Sequence, residues 1–216
     1  MVKVKLCGNQ SVDDVEITSG ANAQGFIVMT DSAREIQPEM AAELMEHVPL
    51  FNAVVLVTAT TDPFLIADLA EVLEPHAVQI HAELGPVQVE RIRRALSARI
   101  PFYTLLSVDE DLEACLERAQ RLAGSPLDAL LLDSRVGEQT GGTGTVHNWE
   151  NSARIRETVS PLPVILAGGI TPLNVQQAIE TVQPYAIDVA SGVETAGHKD
   201  PQKVKALLER VKNYDS

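Results

Sequence analysis

The chain has 216 residues, 45% of them apolar, and a formal net charge of −13. That length suits one large α/β domain or two small ones, with enough apolar residues to bury a core. The acidic balance excludes sequence-independent binding to nucleic acid or to an anionic membrane, and it requires any phosphate site to be a local device.

The plain reading of the charge is solubility, suited to a salty cytoplasm. Cys7 and Cys115 lie far apart and suggest no disulfide framework. No apolar run approaches the roughly 18 residues that span a bilayer. The opening Met1-Val2-Lys3-Val4-Lys5 has no hydrophobic signal core. A soluble, cytoplasmic protein is expected, and the oligomeric state is left open.

In chain order, strands are expected at Val2–Leu6, Gln24–Val28, Ala53–Val57, Ala77–Ile80, Phe102–Leu106, Ala129–Leu132, Val164–Leu166 and Ala186–Val189. Amphipathic helices are expected at Pro38–His47, Pro63–Leu73, Pro86–Ala98, Leu112–Leu122, Leu173–Thr181 and Pro201–Lys212. Helix-start chemistry stands at Pro38-Glu39, Asp62-Pro63 and Asp200-Pro201. Strand alternating with helix implies right-handed βαβ units and a parallel sheet. The spacing suits a closed (β/α)8 TIM barrel; a doubly wound open sheet is the alternative. No Gly/Ser-rich linker or charge block divides residues 1–216, so a single catalytic domain is expected.

In such a barrel the active site lies where strands end and the following loops begin. Polar residues stand at four of these places: Cys7, His81, Asp133 and Asp188. Alternation along the first strand puts Lys5 and Cys7 on one face and the aliphatic Val2, Val4 and Leu6 on the other. The aliphatic face suits packing against helices, leaving Lys5 and Cys7 inside. Only a thiolate is a competent base, and a charged Lys5 one step below would favour it. Cys7 also reads as a small buried hydrophobe. Asp133 ends an otherwise apolar strand and must be solvated, paired or used. Asp188 could bind ligand or orient another residue, and His81 could contact ligand or only hydrogen-bond at the mouth.

Three glycine clusters follow late strands: Gly141-Gly142-Thr143-Gly144, Gly168-Gly169 and Ser191-Gly192. Glycine lets backbone N–H groups approach an anion, and the loops after strands seven and eight form the usual phosphate site of this fold. Gly142, Gly144, Gly168, Gly169, Ser191 and Gly192 are therefore candidate ligand-binding residues. Backbone donors would bind phosphate without basic side chains, which meets the difficulty of the acidic surface. Arg34, in the loop after strand two, suits a second anionic group such as a carboxylate; a surface pair with Asp31 or Glu35 is the competing reading. His47, His76, His147 and His198 show no metal-ligand spacing, and no metal is expected.

In order, the chain carries Lys-Leu-Cys-Gly at 5–8, Ser-Ala-Arg at 32–34, Val-Gln-Ile-His at 78–81 and Leu-Leu-Leu-Asp at 130–133. Gly-Gly-Thr-Gly at 141–144 with Trp149, Leu-Ala-Gly-Gly-Ile at 166–170 with Asn174, the run 188–194, and Lys199-Asp200 follow. In this ordered combination the chain resembles the phosphoribosylanthranilate isomerase family of tryptophan biosynthesis over essentially its whole length. The resemblance implies a cofactor-free Amadori rearrangement of N-(5-phosphoribosyl)anthranilate to a carboxyphenylamino-deoxyribulose phosphate. Asp133 would protonate the ring oxygen and the Cys7 thiolate would remove the sugar C2 proton. Arg34 would hold the anthranilate carboxylate, and the regions of Gly169 and Ser191-Gly192 the phosphate. The chain departs from the family's usual residues at Asn9, Gln10, Thr30, Ala82, Ala190 and Ala196, the last where Pro is usual. A related barrel acting on another phosphosugar, or a non-catalytic phosphosugar-binding barrel, are the alternatives. The retention of Cys7, Asp133 and Arg34 together favours the enzyme.

Overall fold

The computed structural model describes residues 1–136, 139–140 and 148–214, with backbone alone at 135, 136, 139 and 140. Its parallel strands are β1 (Lys3–Cys7), β2 (Ala23–Ile27), β3 (Ala53–Thr58), β4 (Ala77–Glu83), β5 (Phe102–Val108), β6 (Ala129–Val136), β7 (Val164–Leu166) and β8 (Ala186–Val189). Helices alternate with them: α1 (Val12–Ile17), α2 (Pro38–Met45), α3 (Pro63–Leu73), α4 (Pro86–Ala95), α5 (Leu112–Ala123), α6 (Trp149–Val159), α7 (Val175–Val182) and α8 (Pro201–Tyr214). Each strand pairs in parallel with the next, and β8 returns to β1, so the sheet closes. The fold is the expected (β/α)8 barrel, and the open sheet is excluded.

Closure explains why the strands read as unbroken apolar runs: both faces are buried. In β3, Val54 and Leu56 join the layer beneath the helices, while Val55 and Val57 fill the barrel interior. In β1, Val4 and Leu6 go outward, and Lys5 and Cys7 go inward, both buried. The expected facing of this strand is observed.

Two helices lie outside the sequence expectations. Six-residue α1 is too short for a periodic apolar stripe; the Ser11 hydroxyl accepts the Asp14 N–H at 3.2 Å to start it. Helix α6 follows a Gly/Thr-rich run and starts from Asn148, whose side chain accepts the Glu150 N–H at 2.9 Å. Other boundaries move by a few residues. Helix α4 stops at Ala95 because Leu96 turns extended and is buried. Helix α7 begins at Val175 because the Asn174 side chain accepts the Thr171 N–H at 2.8 Å and forms a turn over the expected first residues. Strand β4 runs on to Glu83 through an irregularity after Ile80. Asp133 is not the end of its strand: β6 continues to Val136 and pairs antiparallel with 139–140.

After β8 a single 3-10 turn (Ser191–Val193) leads into a hairpin, Glu194–Thr195 against His198–Lys199. Its two central residues, Ala196 and Gly197, have φ of 52° and 84°. This is the twist that two-residue hairpins favour. Proline, fixed near −65°, cannot occupy the first of these positions. The alanine at 196 therefore goes with a different turn, at a cost of about 1 kcal/mol for a left-handed residue with a side chain.

Candidate active site

A cavity of about 670 Å³ opens at the C-terminal ends of the strands. Cys7, His81, Asp133 and Asp188 all line it, from β1, β4, β6 and β8. Arg34, Gly168, Gly169, Ser191 and Gly192 line it from the loops. Gly142 and Gly144 lie outside the described residues. Sites expected from dispersed segments of the sequence thus meet at one mouth.

Asp133 is buried, 5% exposed, and its Oδ1 accepts the Ser134 N–H at 2.7 Å. Burial pushes its carboxyl from an ordinary 3.8 up to about 6; the Ser134 N–H pulls the other way, and the Asp188 charge adds to the rise. A carboxyl in that range keeps a useful protonated fraction near neutrality, which suits a general acid.

Cys7 is buried too, 6% exposed. Burial raises its thiol above the ordinary range, and the Lys5 charge beside it lowers it without winning. The expected influence of Lys5 is present, but the resting group is a neutral thiol. Lys5 itself is held charged: burial opposes its charge, but Asp188, together with Cys7 and Tyr103, more than offsets this. Its Nζ donates to Asp188 Oδ2 and to Gln79 Oε1, each at 2.7 Å, and the Tyr103 hydroxyl donates to the same Gln79 oxygen at 3.0 Å. Asp188 therefore orients Lys5 with one oxygen. The other, Oδ1, is buried with no partner among the described residues and belongs to a residue that lines the cavity. His81 Nδ1 lies 3.3 Å from Gln79 Nε2.

Gly25, opposite Cys7 across β1 and β2, matters for the side chain it lacks. A Cβ there would stand 2.8 Å from Cys7 Sγ and 3.0 Å from Lys5 Cε. Gly25→Ala is expected to displace the thiol while leaving the barrel folded. Turnover should fall roughly 100-fold, as for an ångström-scale misplacement of a reacting group. Overpacking should cost about 1–3 kcal/mol of stability. Kinetics together with urea unfolding measure both, and normal turnover would mean that the thiol has room to move.

The loops after β7 and β8 touch. A Cβ on Gly192 would land on the carbonyl oxygen of Ile170. The Asn174 side chain braces the first loop by donating to the Gly169 carbonyl at 2.9 Å. The backbone N–H of Gly169 has no hydrogen-bond partner among the described residues. A backbone donor left open beside the glycine turn after β8 suits an anion.

Arg34 takes neither partner expected from its neighbours. Its Nε donates to Glu194 Oε1 at 2.8 Å and its Nη2 to Glu194 Oε2 at 2.6 Å. Glu194 Oε1 also accepts from Lys199 Nζ at 2.7 Å, and Lys199 Nζ donates to the Cys7 carbonyl at 2.6 Å. Glu194 and Lys199 were visible only as motif letters. Nothing local in the sequence points to partners 160 positions away. Of the departures, Thr30 and Ala190 line the cavity. Asn9 is fully buried and accepts from the Thr18 hydroxyl at 3.2 Å, away from the cavity lining. Among the described residues no three His, Cys, Asp or Glu side chains could share a metal ion, and no helix is long and apolar enough to cross a membrane.

A family model described as N-(5'phosphoribosyl)anthranilate (PRA) isomerase matches residues 4–210. An N-(5'-phosphoribosyl)anthranilate isomerase from Methanosarcina acetivorans is 42% identical over 97% of this chain and 93% of its own length. The crystal structure of phosphoribosyl anthranilate isomerase from Thermotoga maritima superposes with a TM-score of 0.85 at 33% identity, covering 99% of this chain and 100% of that one. A phosphoribosyl anthranilate isomerase in complex with reduced 1-(o-carboxyphenylamino)-1-deoxyribulose 5-phosphate gives a TM-score of 0.82 at 31% identity, covering 99% and 100%.

Proposed function

Since the chain belongs to the N-(5'-phosphoribosyl)anthranilate isomerase family, we propose that its rearrangement is run by Asp133 as general acid and Cys7 as general base. The protein is an isomerase of tryptophan biosynthesis that converts N-(5'-phosphoribosyl)anthranilate to 1-(2-carboxyphenylamino)-1-deoxyribulose 5-phosphate. The observation that carries the residue assignment is the placing of a carboxyl raised to about 6 and a buried thiol in one cavity mouth.

In this reading the phosphate sits on backbone N–H groups of Gly169, Ser191 and Gly192, and the anthranilate carboxylate on Arg34. Gly168 shapes the turn beside Asp133, and His81 and the free Oδ1 of Asp188 face the sugar hydroxyls. Holding both anionic ends leaves the sugar between the two catalysts. Asp133 gives its proton to the ring oxygen as the C1–O bond breaks and the amine nitrogen lone pair forms the Schiff base. The Cys7 thiolate then takes the C2 proton, and the C–H electron pair neutralises the nitrogen, giving an enolamine. Protonation at C1 with loss of the C2 hydroxyl proton yields the ketone. The rearrangement moves protons and redistributes electrons within one molecule, so it balances with no further reactant. We also propose one domain over residues 1–216 and a cytoplasmic location; the acidic surface and the single closed barrel support these.

The test is an assay of purified protein with freshly generated phosphoribosylanthranilate, followed by its fluorescence. Rapid consumption with appearance of the ketone is expected. Arg34→Ala is expected to raise KM roughly 10- to 100-fold, as for loss of a charge-assisted contact, with kcat much less affected because the clamp acts in ground and transition states alike. Failure to consume the substrate would remove the whole reading.

A further inference from the structure

We infer that Glu194 is a positioning residue that fixes Arg34 at a set distance from the phosphate-binding turn, so that one short segment gauges the length of the ligand. The inference rests on the proposed binding of carboxylate by Arg34 and phosphate near Ser191-Gly192. Only Val193 separates that turn from Glu194, which opens the hairpin. The two anion sites are thus coupled through a few residues of backbone and one carboxylate.

The geometry favours a fixed brace over a carboxylate that yields its place to the ligand. Glu194 takes the guanidinium side-on, through Nε and Nη2. That leaves Nη1, which donates to no described residue, and the guanidinium belongs to a residue lining the cavity. Glu194 is held a second time by Lys199, whose side chain is 1% exposed, and Lys199 is anchored to the Cys7 carbonyl. Burial alone would raise the Glu194 carboxyl; the hydrogen bonds from Arg34 and Lys199 outweigh it and keep it below the ordinary range. The brace therefore stays ionised throughout the neutral range. On the other side, the Arg34 stem lies against Gly8, where a Cβ would come 2.6 Å from Arg34 Cδ. A bidentate pair fixes orientation as well as position, which a lysine could not reproduce.

The experiment compares wild type, Arg34→Ala, Glu194→Gln and the double variant. It reads KM and kcat for phosphoribosylanthranilate and the inhibition constant of ribose 5-phosphate, which has the phosphate but no carboxylate. Glu194→Gln keeps the volume of the side chain and should raise KM roughly tenfold, the scale of one charge-assisted hydrogen bond. It should leave kcat within about threefold and ribose 5-phosphate inhibition unchanged. The double variant should be no worse than Arg34→Ala, because Glu194 acts through Arg34. Multiplying effects, or a parallel loss of ribose 5-phosphate binding, would assign Glu194 to loop integrity and overturn the inference. An unchanged or lowered KM in Glu194→Gln would overturn it as well. If Glu194→Gln does not fold, Arg34→Lys keeps the charge without the side-on pair and must raise KM; a normal KM there overturns the brace. A normal KM in Arg34→Ala overturns instead the carboxylate assignment beneath it.

Discussion

Asp133→Asn is expected to cut turnover roughly 10²–10⁴-fold, the usual loss on removing a general acid, while making the protein more stable at neutral pH. The second half follows from the raised carboxyl, from 3.8 to about 6. Its folded-state value lies above its unfolded one, so the fold prefers the protonated acid. Below about pH 4 both states hold the proton and nothing is lost. As pH rises through 4 to 6 the unfolded chain ionises freely and the folded one does so at a cost. Above 6 the deficit is complete, on the order of 2–3 kcal/mol at about 1.4 kcal/mol per pKa unit. The amide carries no such cost and its oxygen can still accept the Ser134 N–H. Urea unfolding of both proteins at pH 4 and pH 8 measures this. Their stabilities should agree at pH 4, and the variant should lead at pH 8. A variant less stable at pH 8, or one with near-normal turnover, would show that Asp133 is held for structure.

Cys7→Ser is expected to reduce turnover by a similar factor. Serine keeps the size, but it has no anion in reach near neutrality. In the wild type, kcat/KM should describe a broad plateau with an acidic limb near pH 6. The productive form needs Asp133 protonated and Cys7 ionised, yet Asp133 titrates first. Below 6 the acid stays protonated and the thiolate population grows with pH, so the rate climbs. Between the two values the gain in thiolate offsets the loss of acid. Above the raised thiol value only the loss remains, and the rate falls. The acidic limb thus belongs to Asp133, although Asp133 is the acid. A pH profile of wild type and of the residual activity of Asp133→Asn decides it: a limb near 6 that survives in the variant removes Asp133 as its source. Near-normal turnover of Cys7→Ser would end the thiolate mechanism.

The strands were legible because a closed barrel buries both faces of each, and buried pairs such as Val54 and Val55 write that as a continuous β-branched run. Helix α1 was not, because six residues hold too few turns to display a stripe. Cys7 and Asp133 stood out as polar groups near the ends of apolar strands. Gly25 did not, since its contribution is a missing side chain whose neighbours are set by strand register. The pull of Lys5 toward the Cys7 thiolate was legible from strand alternation; the enclosure that outweighs it, with the competing charge of Asp188, was not, because both depend on closure of the barrel. Glu194 and Lys199 were unreadable as a pair with Arg34, because such partners are chosen by the closure of the barrel.

That closure also bears on how the molecule is made. Lys5 meets Asp188 across 183 positions, Arg34 meets Glu194 across 160, and Lys199 reaches the Cys7 carbonyl across 192. Contacts of such separation come late in folding, because the loop between their ends must be ordered first. During synthesis β1 is exposed for most of the time that the chain takes to emerge, at roughly 5–20 residues per second. Until Asp188 arrives, the Lys5 ammonium has no counter-charge and cannot be enclosed without heavy cost. Strand β1, which can pair early with β2, completes its other edge and the Lys5 pair only when β8 arrives. A nascent chain lacking β8 and the following hairpin would present an open sheet edge and an unpaired cation where the finished protein has its chemistry.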